Sequence, residues 1–161
     1  MEYMIEEITD ENRQHVNEIL KREWEATDII VRGKIIDGTK LDGFLAVRKK
    51  IIIGLITYMI ENNDCEIVSL NSFEENKGIA TRLINAIKEL AINEHCTRLK
   101  LITTNDNIRA IEFYQKRGFV LSNIYINAIE NSRKLKPAIP LYADNGLPIR
   151  DEIEFEMKLE R

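Results

Sequence analysis

Residues 74–91 read EENKGIATRLINAIKELA, and the fold turns on them. Ile79, Leu83, Ile84, Ile87, Leu90 and Ala91 recur at the spacing of one helix face, which predicts an amphipathic helix between Gly78 and His95. Before it, residues 66–73 carry Ile67, Val68 and Leu70 and read as a strand. After it, residues 98–103 return to strand, with Leu99, Leu101 and Thr103 alternating against Lys100 and Ile102. Strand, helix and strand in this order predict a crossover connection, which places two strands parallel in one sheet.

Working outward, residues 44–48 and 51–60 read as two strands joined at Lys49-Lys50, and Asn62-Asn63-Asp64 is a turn signal before the next strand. Residues 3–8 read as an opening strand. Thr9 and Asp10 offer N-caps for a helix with Val16, Ile19, Leu20 and Trp24 on one face. Residues 27–41 contain Gly33 and Gly38 with little clear periodicity and are expected to contain loop. Asn107 opens a short helix carrying Ile111 and Tyr114, Gly118 ends it, and Phe119 begins another strand. Past Ile126 the pattern weakens until residues 152–159, where Ile153, Phe155, Met157 and Leu159 alternate with charged residues as in a strand with one wet face. The order is mixed α/β: a single three-layer domain over residues 1–161, its central sheet mixed and mostly antiparallel, with a parallel central strand pair flanked by helices.

Composition bounds the function. The chain of 161 residues is 44% hydrophobic and 31% charged, the balance of a globular protein, and at this length roughly 70% of the unfolded surface can be buried. Its 27 acidic against 23 basic residues give a net charge of -4. That argues against a general nucleic-acid binder, whose affinity comes from neutralising phosphates, without excluding a local basic patch. The first residues, MEYMIEEITDEN, are acidic and lack the basic start and apolar run of a signal peptide. The longest apolar stretch, residues 51–60, is broken by Gly54 and Thr57 and falls short of the ~20 residues of a membrane helix. Cys65 and Cys96 stand in no metal-ligand spacing, so neither a metal nor a disulfide framework is expected, and a reducing cytoplasm is the expected location.

Two stretches carry chemistry. At Asn76-Lys77-Gly78-Ile79-Ala80-Thr81 a strand hands over to a helix whose first N–H groups and about half a positive charge attract phosphate. Gly78 and Ala80 would let a ligand approach the backbone. The second stretch is Asn107-Ile108-Arg109-Ala110 followed by Phe113 to Phe119. Together they resemble the GNAT superfamily of N-acetyltransferases, which has a Gln/Arg-x-x-Gly-x-Gly/Ala loop and, one helix and one strand later, an Asn-x-x-Ala-x-x-x-Tyr-x-x-x-Gly-Phe run. Here the loop reads Glu75-Asn76-Lys77-Gly78-Ile79-Ala80, and the run matches at Asn107, Ala110, Tyr114, Gly118 and Phe119. Glu75 departs from the family's Arg or Gln, and Lys77 and Arg82 offer compensating charge.

The resemblance implies acetyl-coenzyme A as co-substrate and a direct transfer to a primary amine. It further implies that the backbone around Leu70 and Ser72 pairs with the pantetheine arm, that the amides of Lys77, Gly78, Ile79, Ala80 and Thr81 hold the pyrophosphate, and that Asn107 contacts pantetheine or seats the following helix. Tyr114 would protonate the departing thiolate, as suits a phenol with a pKa of about 10. Glu66, on the strand leading to the loop, would take the amine proton through water; a spacing of two puts it on one face with Val68 and Leu70 unless a bulge intervenes. Trp24 and Arg32 fall where the family covers its acceptor, a small molecule or a peptide. Arg32, Arg133 and Lys136 would suit an anionic acceptor, Asp151 and Glu152 a cationic one. A homodimer is compatible with the resemblance. The alternative reading is a non-catalytic acyl-coenzyme A sensing module.

Overall fold

A computed structural model describes residues 2–24, 28–75 and 77–160 of the chain, without the side chains of Trp24 and Asp28. Its elements in chain order are β1 (Met4–Glu7), α1 (Arg13–Trp24), β2 (Asp28–Val31), β3 (Lys34–Asp37), a 3-10 turn (Gly38–Lys40), β4 (Asp42–Arg48), β5 (Ile51–Glu61), β6 (Asp64–Ser72), α2 (Ile79–Asn93), β7 (Arg98–Thr104), α3 (Ile108–Lys116), β8 (Val120–Tyr125), α4 (Ala128–Leu135) and β9 (Glu152–Lys158). By its contacts the chain divides into two units, Met1–Ile29 with Asp37–Leu99 and Lys158–Arg161, and Ile30–Ile36 with Lys100–Met157.

In the first unit β1, β4, β5 and β6 are neighbours in that order, each antiparallel to the next. Two-residue turns join β4 to β5 at Lys49-Lys50 and β5 to β6 at Asn62-Asn63, with all four residues at positive φ. Such turns match the right-handed twist of the strands they connect. At the far side the Thr97 N–H donates to the Asn63 carbonyl at 2.8 Å, and the Arg98 guanidinium grips the Asp64 carboxylate at 3.2 and 2.7 Å. The first residues of β7 therefore start beside the first residues of β6 and run the same way, which is the parallel pair expected from the crossover.

Helices cover both faces of this sheet. Val16, Ile19 and Leu20 of α1 bury against Leu45 and Leu55, while α2 lies over the opposite face, where β5 offers Gly54. A Cβ at Gly54 would stand 2.5 Å from the Ile79 side chain and 3.1 Å from Leu83. The helix thus sits as close as a bare backbone permits. Adjacent residues of a strand point to opposite faces, so Leu55 and Gly54 between them organise three layers.

In the second unit the order is β7, β9, β8, with β8 and β9 antiparallel. Residues 27–41, expected to contain loop, also hold β2 and β3, a hairpin turning at Arg32-Gly33, both at positive φ; residues 25–27 lie outside the description. The weak stretch past Ile126 contains α4, whose apolar residues Ala128, Ile129 and Leu135 are too few to show a period. Glu152 and Glu154, assigned to a wet face of β9, are 3% and 4% exposed. Ahead of the first helix, the Thr9 N–H donates to the Asn12 side chain at 2.7 Å, which ties down the turn that enters α1.

Because the Gly54 site has no room for a methyl group, Gly54→Ala is expected to cost about 1–3 kcal/mol of stability. Urea unfolding should show a lower midpoint at an unchanged slope.

Candidate active site

Gly78 precedes α2 at φ +69, a left-handed backbone that favours glycine, and no side chain caps the helix. Among the described residues nothing stands within 4 Å of where its Cβ would be, so on their side the helix start is open. The first amides of a helix have no partner within it and collect positive potential, which makes this end an anion site. Lys77 and Gly78 are exposed, Ala80 and Thr81 half-buried, and Ile79 is buried against the sheet. The flanks are tied down. The Tyr3 hydroxyl donates to the Lys77 carbonyl at 3.0 Å, and the Arg82 guanidinium lies 4.6 Å above the Tyr3 ring. Ahead of the loop, Ser72 Oγ donates to the Glu74 carbonyl at 2.9 Å, and Arg48 forks onto the Glu74 carboxylate, a hydrogen bond that holds this carboxyl below its ordinary pKa. Asn76 lies outside the described residues. Tyr3 left no sequence signal, because its part is played by a hydroxyl reaching a carbonyl 74 residues away.

The strand that leads to the loop is bulged. Ser69 stands opposite Thr57 and Ile67 opposite Tyr58, leaving Val68 as the extra residue. The bulge breaks the alternation from Glu66 to Leu70: Glu66 faces Met59 and Leu70 faces Ile56, so the two lie on opposite faces, contrary to the spacing of two. Glu66, 3% exposed, shares its face with Ser69 and Thr57, whose buried hydroxyls lie 2.5 Å apart. Leu70 and Ser72 pair with Ile56 and Gly54 of β5.

In the second unit, Asn107 caps α3 by accepting the Ala110 N–H at 3.2 Å. Tyr114 lies on the buried side of that helix, 9% exposed, with its ring edge-on to Phe113 at 5.3 Å and to Phe119 at 5.5 Å. Burial pushes the phenol up to about 12. Its hydroxyl makes no hydrogen bond among the described residues. The Phe119 N–H returns to the Tyr114 carbonyl at 3.1 Å, which locks the Gly118 turn under the helix end.

The Acetyltransferase (GNAT) family matches residues 2–119, about three quarters of the chain. The chain belongs to the GNAT acetyltransferase family. It is 48% identical over 141 residues to the uncharacterized protein YdhI of Bacillus subtilis (strain 168), a match spanning 87% of this chain and 88% of that protein. Among solved structures, a GNAT family acetyltransferase from Elizabethkingia anophelis with acetyl-CoA bound superposes with a TM-score of 0.71 at 21% identity, over 98% of each chain. An IAA acetyltransferase from Bacillus cereus ATCC 14579 gives 0.70 at 20% identity, over 98% of this chain and 100% of that one. At these identities the likeness is one of fold, and it is the GNAT fold.

The residues read from the sequence as acceptor-facing in this GNAT chain are otherwise engaged. Arg32 gives its backbone N–H to the Glu152 carboxylate at 3.0 Å, sets its guanidinium 3.8 Å from Glu154 and lies 6.0 Å from the centre of the Tyr125 ring. Glu154 also accepts from Ser122 Oγ at 2.6 Å and from the Tyr125 hydroxyl at 3.3 Å. Arg133 donates to three carbonyls, those of Ile139 at 3.3 Å, Pro140 at 2.7 Å and Ile149 at 2.5 Å, and so braces the loop after α4. A convergence of Arg32 and Arg133 on an anion is not what the second unit builds. Trp24 ends α1, but its side chain lies outside the description. Cys65 is buried, and desolvation pushes its thiol to about 12, while Cys96 is pushed up for the same first reason. Neither is a nucleophile in these surroundings. Among the described residues no cluster of His, Cys, Asp and Glu has the makings of a metal site, and no helix is long and apolar enough to cross a membrane.

The loop after α4 ends on Asp151, whose carboxyl is held below its ordinary pKa first by the Arg150 hydrogen bond and then by the Asn127 N–H. A lowered folded pKa contributes stability above the ordinary carboxylate range, lost as the pH falls through the lowered value. Asp151→Asn should therefore lower stability by about 1 kcal/mol at pH 7, and the gap to the parent protein should close below about pH 4, as followed by Tm against pH.

Proposed function

We propose that this GNAT chain is an N-acetyltransferase that moves the acetyl group of acetyl-coenzyme A directly to a primary amine. The observation that carries the reading is the uncapped, left-handed start of α2 at Gly78, a fit for a pyrophosphate held by backbone amides. The acetyl-CoA bound to the Elizabethkingia structure supports the same co-substrate.

In this mechanism the amides of residues 77–81 grip the pyrophosphate, and the electropositive helix start offsets its charge. Glu75 is exposed, and the backbone of β6 around Leu70 and Ser72 receives the pantetheine arm. The neutral amine forms its bond to the acetyl carbon as the bond to sulfur breaks. Glu66 accepts the ammonium proton through water. Tyr114, protonated throughout the range in which an amine titrates, donates a hydrogen bond to the departing sulfur and then its proton. A phenol near 12 is a weak acid toward a thiolate, so hydrogen bonding comes first and the transfer completes as charge collects on sulfur. Asn107 holds α3, and with it Tyr114, in place.

Acetyl-coenzyme A at 100 times its dissociation constant should stabilise the protein by about 2.7 kcal/mol, and Gly78→Glu should abolish the thermal shift. Tyr114→Phe should keep the shift and lower kcat by roughly a hundredfold or more, read as free thiol released with an amine acceptor. Turnover unchanged in Tyr114→Phe would remove the phenol from the mechanism. No thermal shift in the parent protein would sink the donor assignment.

A further inference from the structure

We propose that the first unit carries a second ligand site, a groove beside the edge strand β1 that takes an organic anion with an apolar body. The groove encloses about 900 Å³, within the size of small-molecule sites. Leu45, Val47 and Ile52 supply its apolar lining, while Lys49, Lys50 and Arg82 supply cations. None of residues 77–81 lines it, so it is distinct from the phosphate loop.

The turn at Lys49-Lys50 gives the groove its sign. Both lysines hold left-handed backbone, at φ +50 and +67, where side chains other than Asn, Asp or Gly are disfavoured. The chain makes the same kind of turn with Asn62-Asn63 and with Arg32-Gly33, so more comfortable residues are in use elsewhere. Two lysines in the less favourable conformation point to a use for their charge. Arg48, next to them, is already matched by Glu74, but neither lysine has an ion-pair partner among the described residues. Two carboxylates, Glu2 and Glu6, also line the groove. They leave the cations in the majority, with Lys49, Lys50 and Arg82 against Glu2 and Glu6. An apolar floor beneath paired ammonium groups fits an aromatic or medium-chain acid better than inorganic phosphate. Such an occupant also meets Tyr3 and Arg82, the pair beside the Lys77 carbonyl.

The probe pair is 8-anilinonaphthalene-1-sulfonate and its uncharged relative N-phenyl-1-naphthylamine, titrated by fluorescence against the full chain. The test variant is Lys49→Asn with Lys50→Gly, which removes the charge while giving the turn residues it prefers. The sulfonate should bind the parent protein and lose at least tenfold in affinity to the variant, while the neutral probe changes less than twofold. The variant's Tm should equal or exceed that of the parent, and its thermal response to acetyl-coenzyme A should persist. The sulfonate should bind Gly78→Glu as tightly as the parent. Absence of sulfonate binding, equal binding to parent and variant, equal losses for both probes, or displacement of the probe by acetyl-coenzyme A one for one would each overturn the proposal.

Discussion

A missing side chain sets the position of the loop that opens α2. Gly54 lets α2 settle onto β5 at a distance that no Cβ would allow, and Ile79, the residue that makes the contact, is the first of the helix. Seating Ile79 fixes where the helix begins. That in turn fixes the direction in which its free amides point. The opposite face of the same strand, through Leu55, carries α1. One strand therefore bears both helical layers of the first unit, and the open end at Gly78 follows from how closely one of them lies.

Chemistry is distributed around that seat by two departures from regularity. The bulge at Val68 turns Glu66 to the face of Thr57 and Ser69 and leaves Leu70 on the other, so the strand presents an acid and a backbone edge in different directions. Burial of the Tyr114 ring between Phe113 and Phe119 keeps the phenol neutral while its hydroxyl remains unengaged among the described residues. Both features place an ionisable group in a low-dielectric setting, where a charge is felt most strongly.

The helices and strands legible in the sequence were those with full hydrophobic periods. The six apolar positions of α2 and the alternation in β7 needed no knowledge of tertiary contacts, whereas the loop and Tyr114 were singled out by the resemblance of their motifs to the GNAT family. The hairpin of β2 and β3 was not legible, because Gly33 reads equally as loop and as turn. Neither was α4, with its three apolar residues. The bulge lay beyond the sequence because register is decided across strands, by the match of Thr57 to Ser69. Glu152 and Glu154 misled for a related reason. Alternating acids signal a wet face only until partners such as Ser122, Tyr125 and Arg32 come from elsewhere in the chain to cover them. Arg133 looked like a ligand-binding cation and proved to be a brace for three carbonyls.

The two cysteines have a practical bearing. Both thiols are buried and pushed away from the thiolate form, so the folded protein is nearly silent toward disulfide reagents at neutral pH. Any thiol that appears in solution with such a reagent present comes from coenzyme A, and turnover on an untried acceptor can be counted continuously, by colour, without mutating or blocking the protein.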